Sequence, residues 1–405
     1  MMFTPRPSAI ASVFAALALL LSTGCASDGK KTYGEEQKEN ARKQWAGARA
    51  AVLHNLASEQ YQTGNFDKCR ATLDDALKLS PDNPSLHVLY AKLSIEQGNL
   101  DIADRELATA RKLAPGDAEA DYLSGVVCQR WQKNEQAFAF YKAAAEKSPA
   151  ELAYLMAQAE TLVAMGRAGE ALSMLESRVV FFEHSAALRD AVGQLLMQNG
   201  KFAPAVAMFR QASILSTDDP SIREHLAIAQ FRAGDHRDAA DTITRLLKDE
   251  RYLKRGDLYL AMGVCELQLG RHREAREAFE MASQLSPTSP AVWLGLGKAA
   301  MELADTRRAE MALRRCLTLD PANSEANLLL GYARLKQNKL EDALASFRKA
   351  NALDPADTTA LCMVGHTLEK MGRNSEAFDC YQKALKIKPN DDLATRLMAE
   401  IQLDK

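Results

Sequence analysis

The side chains best able to do chemistry are few and scattered. Seven histidines stand at 54, 87, 184, 225, 236, 272 and 366, with no His-Glu-x-x-His and no His-x-His among them. A metal ion needs several ligands converging on one point, and on a helix that means histidines one turn apart, so no metal site is expected. Six cysteines follow Cys25, at 69, 128, 265, 316, 362 and 380, without a Cys-x-x-Cys pair. They read as small core residues, and whether Cys362 and Cys380 pair in an oxidising compartment is left open. Gly295-Leu296-Gly297-Lys298 has the composition of a phosphate loop but not the Gly-x-x-x-x-Gly-Lys-Ser/Thr spacing, and no strand pattern precedes it. There is no Gly-x-Ser-x-Gly elbow for a serine nucleophile, and neighbouring carboxylates such as Asp218 and Asp219 fall in polar turns. With no catalytic constellation and no cofactor motif, the chain is expected not to be an enzyme.

Cys25 is different. Arg6 precedes Ala9 to Leu21, 13 residues without a charge. That run is shorter than the roughly 20 residues of a membrane-spanning helix and fits a signal-peptide core. It leads into Leu21-Ser22-Thr23-Gly24-Cys25, which resembles the lipobox of bacterial lipoproteins, although Ser22 stands where Leu is preferred and Leu21 lies one place earlier. The resemblance implies a signal peptide over 1–24, cleavage before Cys25, and acylation of Cys25 by palmitate-type chains. Each buried methylene adds about 0.8 kcal/mol, so several chains anchor stably where one does not. Ala26, rather than Asp, follows the cysteine, which implies the outer over the inner membrane. The expected location is therefore the bacterial cell envelope, lipid-anchored and facing the periplasm, with 25–34 as acylated cysteine and tether.

The rest of the chain must be read as elements. The 405 residues are 47% hydrophobic and 26% charged, with 51 Lys and Arg against 53 Asp and Glu, a net charge of −2. That excludes a disordered chain and gives no overall attraction to nucleic acid. Pro81, Pro115 and Pro149 are 34 residues apart, and so are Pro287, Pro321, Pro355 and Pro389. The two series differ in phase by two residues, which Arg251 to Arg255 are expected to absorb. With that offset ten windows align, beginning at Ala50, Pro84, Ala118, Leu152, Ala186, Pro220, Gly256, Pro290, Ser324 and Thr358. A fixed period of this size marks a solenoid of stacked units.

Within the windows small residues recur at the eighth place (Ala57, Gly125, Gly331) and the twentieth (Ala103, Ala275, Ala343), and a bulky one at the twenty-fourth (Leu73, Tyr141, Phe347). A loop residue between the two helices is often Gly, as at Gly64, Gly98 and Gly166. This pattern resembles tetratricopeptide repeats over roughly Ala50 to Pro389. The resemblance implies an all-α fold: a right-handed superhelical solenoid of about ten helix-turn-helix repeats, closed by a C-terminal capping helix over 390–405. The chain then divides into a leading helix and repeats 1–6 over 35–253, and repeats 7–10 over 254–389. Repeats 4, 5 and 6 depart from the pattern by lacking the closing proline.

Places 5, 9 and 12 of each first helix share one face, the face that similar solenoids turn toward a concave groove. Here it is apolar: Tyr122 and Val126 in repeat 3; Leu260 and Val264 in repeat 7; Leu294, Lys298 and Met301 in repeat 8; Leu328, Tyr332 and Leu335 in repeat 9. Either these residues complete the packing between neighbouring first helices, or they line a partner site. Some members of the family hold a terminal carboxylate with Lys at the fifth place and Asn at the ninth. The first repeat offers His54 and Ser58 instead, and the third Tyr122 and Val126, so the expected ligand is an apolar or amphipathic segment of another protein. Two roles fit: a membrane-anchored scaffold or assembly factor, similar in layout to lipoproteins of pilus, secretion or outer-membrane assembly, or an accessory subunit that recruits a cell-wall hydrolase, synthase or protease. No small-molecule substrate is expected.

Overall fold

The computed structural model describes residues 33–403, so Cys25 and its acylation, the signal segment and most of the tether lie outside the described residues. All described secondary structure is helical. Helix α1 is Tyr33–Gln62, followed by α2 Phe66–Leu79, α3 Pro84–Glu96, α4 Leu100–Leu113, α5 Ala118–Arg130, α6 Asn134–Lys147 and α7 Leu152–Ala164. Then come α8 Ala168–Glu176, α9 Ala186–Gln198, α10 Phe202–Leu215, α11 Pro220–Ala233, α12 His236–Leu246, α13 Gly256–Gln268 and α14 His272–Leu285. The last are α15 Pro290–Glu302, α16 Thr306–Leu319, α17 Ser324–Lys336, α18 Leu340–Leu353, α19 Thr358–Lys370, α20 Asn374–Ile387 and α21 Asp392–Leu403. The described hairpins form two compact units, divided between Thr161 and Leu162 inside α7. Within each unit a helix packs on its hairpin partner and on the next hairpin, as a repeat array requires.

The first helices of repeats 2 to 10 begin at the residues that the 34-residue period marks. Their starts have local causes. Asn83, Asp117, Asp219 and Asp357 each accept a hydrogen bond from the backbone N–H two residues on, satisfying donors that the helix cannot. Pro84, Pro220 and Pro290 stand at the first helical position, where no N–H is needed. A side chain at the fourth place adds a second fastening. Arg223 Nη2 donates to the Thr217 carbonyl at 2.7 Å and Trp293 Nε1 to that of Pro287 at 2.9 Å. His87 Nε2 meets the Pro81 carbonyl at 2.8 Å in the same way, with Nδ1 2.6 Å from Glu106.

The fifteenth place carries a positive φ in all ten repeats. Seven are glycines, from Gly64 to Gly372, and three are Gln132, Ala304 and Asn338, at φ 60°, 57° and 59°. The hairpin turn imposes this conformation whatever residue occupies it. Inside each hairpin the eighth place faces the twenty-fourth. A Cβ on Gly125 would lie 2.5 Å from the Tyr141 ring, and one on Gly331 the same distance from Phe347. Repeats whose eighth residue is Ala, at 57, 91, 159 and 227, carry the aliphatic Leu73, Leu107, Leu175 and Ile243 opposite. Small residue and bulky residue are thus matched in volume in nine of the ten repeats, the exception being repeat 8, where Gly297 faces the aliphatic Leu313.

One feature differs from the expected layout, and two fall where the spacing marked a departure. The leading helix and the first helix of repeat 1 are one continuous α1, which also takes in Tyr33 and Gly34 from the expected tether. No proline or cap interrupts the run, and an exposed Gly47 costs only about 1 kcal/mol relative to Ala, too little to break it. The two-residue phase shift falls within the second unit. There α12 is short, and a longer connection, 247–255, holds the Arg251 to Arg255 stretch; it is pinned by buried Tyr252 against Leu246 and Leu258. Repeat 4, without its proline, likewise has a short α8 followed by a turn-rich 177–185.

Candidate functional site

The groove-face residues are all half-buried. In the first unit Tyr122 and Val126 pack on Cys128, Tyr141 and Ala157, with the Tyr122 ring centroid 4.9 Å from Tyr154 and 5.5 Å from Tyr141. In the second unit Leu260 and Val264 pack on Phe279 and Leu296, and Leu294 and Met301 on Ala300 and Leu313. Leu328, Tyr332 and Leu335 pack against Phe347 and Leu361, Tyr332 meeting Phe347 edge-on at 5.3 Å. Each side chain therefore gives one edge to the core and keeps the other open.

Four of them converge. Leu260, Val264, Leu294 and Lys298 line a cavity of about 410 Å³ between α13 and α15, together with Leu267 and Phe279. Its floor depends on Gly295. A Cβ there would stand 2.3 Å from the Phe279 ring, which also presses on Gly263, so the ring fits only between two glycines. Phe279 and Gly295 were not singled out as site residues by spacing. The available signal was the sixth place, where Gly295 replaces the larger residues of every other window, such as Leu89, His225 and Met363. Met301, farther along α15, and Leu328, Tyr332 and Leu335 on α17 lie outside this cavity's lining.

Charges at the rim are already paired. Lys298 Nζ lies 2.8 Å from Glu325 of the next repeat, and in the first unit Lys92 meets Glu119 at 2.6 Å in the same register. Asp257, at the cavity edge, is hydrogen-bonded to Arg255, and that bond holds its carboxyl below the usual range. A smaller hollow of about 230 Å³ is lined by Gln194, Met197, Phe209, His225 and Ile228. There His225 Nδ1 lies 2.8 Å from Asp190, and this hydrogen bond raises the imidazole above its ordinary value. None of these groups is arranged as nucleophile and base. The six described cysteines are free thiols, and burial pushes Cys362 up to about 12, which keeps it protonated and unreactive. Among the described residues no group of three or more His, Cys, Asp or Glu could hold a metal ion, and no helix is long and apolar enough to cross a membrane.

A family model described as the C-terminal domain of cilia and flagella-associated protein 70 matches residues 214–405, and two tetratricopeptide-repeat models match 62–125 and 152–177. The chain is a tetratricopeptide repeat protein. It is 21% identical over 262 residues to the BBSome complex member BBS4 of Bos taurus, covering 65% of this chain and 49% of that one. The chain thus spans about half the length of that curated relative. Similar solved structures include MamA, at 22% identity and TM-score 0.40, covering 42% of this chain and 92% of that one. A C-terminal part of a repeat protein from Cytophaga hutchinsonii matches at 15% identity and TM-score 0.49, over 59% of this chain and 98% of that one. Cut9–Hcn1 of the APC/C matches at 14% and 0.44, over 87% and 96%. Tetratricopeptide scaffolds are typically non-catalytic and serve protein–protein interaction, and this chain carries that scaffold.

Proposed function

We propose that the chain is an envelope scaffold, held at a bacterial membrane through acylated Cys25, that binds apolar or amphipathic segments of periplasmic partner proteins along its first-helix groove. The observation that carries the groove reading is the cavity over Phe279: a half-buried apolar hollow whose rim charges are neutralised by Arg255 and Glu325, so that it attracts side chains by burial rather than by charge. Fully burying a Leu or Phe contributes about 1.5–3 kcal/mol before ordering costs, enough for a few anchors to hold a helix or strand. The order of Arg6, the apolar run and Cys25 supports the anchoring, and membership of a relative in a multi-protein complex is in keeping with an assembly role.

A Leu-rich amphipathic peptide and its scrambled counterpart, titrated against the full chain by fluorescence anisotropy, test the groove. The amphipathic form binds, and a photocrosslinker at position 294 captures it. Equal binding of both peptides, or crosslinking only from outside the first helices, contradicts the proposal. For the anchor, Cys25→Ser abolishes incorporation of labelled fatty acid; unchanged labelling rejects it.

A further inference from the structure

The near-zero net charge conceals an uneven distribution on the second helices. On α16, α18 and α20 the residues at places 18, 22, 25, 26 and 29 share one face and are exposed throughout. Arg314, Arg315, Arg348, Lys349, Lys383 and Lys386 recur there in register, with Arg307 as a seventh base, against only Glu341 and Asp379. The same face of α2, in repeat 1, carries Asp67, Asp74 and Asp75 with a single Lys78, and that of α14, in repeat 7, carries Glu277 and Glu280 against Arg273. Repeat 6 has Arg237, Arg245 and Lys248 against Asp241 at these places, but only in repeats 8–10 do three successive second helices continue the basic face. Ion pairs of these helices use other side chains, Arg308 with Glu280, Lys339 with Glu310 and Arg373 with Glu376. Among the described residues none of the seven bases is in one, although Arg348 acts through space on Glu376. Apolar side chains stand among them: Met311 is 66% exposed, and Leu353 and Ile387, at the ends of α18 and α20, are 40% and 49% exposed.

We infer that this face docks on an anionic lipid surface, with Arg314, Arg315, Arg348, Lys349, Lys383 and Lys386 at the headgroups and Met311 at the acyl boundary. Bases with apolar side chains between them match the headgroup zone, where each favours a different depth. A single-stranded nucleic acid calls for aromatic stacking platforms, and this face has no aromatic residue; a duplex presents phosphates to the bases but nothing for the exposed Met311, Leu353 and Ile387 to enter. The site lies on the second helices, away from the first-helix groove, and its failure leaves the groove reading intact.

The test uses the full chain with Cys25→Ser, which keeps every repeat and removes the acylatable thiol. Flotation with vesicles of phosphatidylcholine alone sets the contribution of the apolar amino-terminal run. Adding phosphatidylglycerol raises the bound fraction in a salt-sensitive way, and the combined variant Arg314→Glu, Arg315→Glu, Arg348→Glu and Lys349→Glu loses that increment, by about a hundredfold or more in partition. Because all four are exposed, its melting matches the parent. Replacing the three arginines by lysine retains binding, as a charge-driven contact requires. No dependence on phosphatidylglycerol overturns the inference, as does equal partition of the reversed variant, or a face that ignores these vesicles and binds a Glu-rich peptide instead.

Discussion

At the scale of single residues the hairpins are governed by matched volumes. Gly331 and Phe347 are the clearest pair, because nothing but the ring lies where a methyl would go. Gly331→Ala is expected to destabilise by about 1–3 kcal/mol through overpacking. Phe347→Leu, the partner that accompanies Ala in repeats 1, 2 and 4, should relieve it. Chemical denaturation of both singles and the double variant checks this, and strictly additive losses would refute the matching. Ala304 presents the opposite case: its positive φ is strained for a side chain, so Ala304→Gly stabilises by about 0.5–1 kcal/mol once the greater freedom of unfolded glycine is subtracted. His225 adds a pH dependence. Its folded value is raised, chiefly by Asp190 with smaller help from Glu224 and Asp219. The stabilisation is therefore complete below the unfolded value of about 6.5 and disappears as pH rises through the folded one. Melting of Asp190→Asn should lack that slope; an unchanged slope assigns it elsewhere.

Among the elements, helix starts were legible because prolines and Asx caps are local signals repeated at a fixed interval. Two things were not. The continuity of α1 depends on the absence of a stop, which a period cannot register. The fastening of three inter-repeat turns by a fourth-place side chain was hidden because His87, Arg223 and Trp293 share no residue type, only a ring or guanidinium nitrogen at one position. Trp293→Phe keeps the ring and removes the N–H, so a loss of about 0.5–1.5 kcal/mol is expected. Hydrogen exchange around Pro287 should rise with it, and protection equal to the parent would show that the ring alone holds the turn. The extended connections 177–185 and 247–255 follow from short second helices; the missing proline of repeat 4 was the trace of the first, and the two-residue phase shift at Arg251 to Arg255 that of the second.

At the scale of the molecule, repetition made the fold readable and the function hard to read. Every window repeats the same packing, so the apolar face at places 5, 9 and 12 was visible from spacing, and the structure places its members at the half-buried edge between core and solvent. The cavity could not be found that way, since its floor needs one ring, Phe279, and two glycines from different repeats. In the function proposed here this cavity binds a partner segment and does more than complete the core. Leu260→Glu with Leu294→Glu decides it, read as two curves on one full-length variant: thermal melting by circular dichroism and binding of the amphipathic peptide. Lost binding is expected with a melt close to the parent, because both side chains keep an open edge through which a carboxylate can reach water. Peptide binding equal to the parent, or a melt lowered as far as a buried unpaired charge lowers it, would rule out a partner site in this cavity.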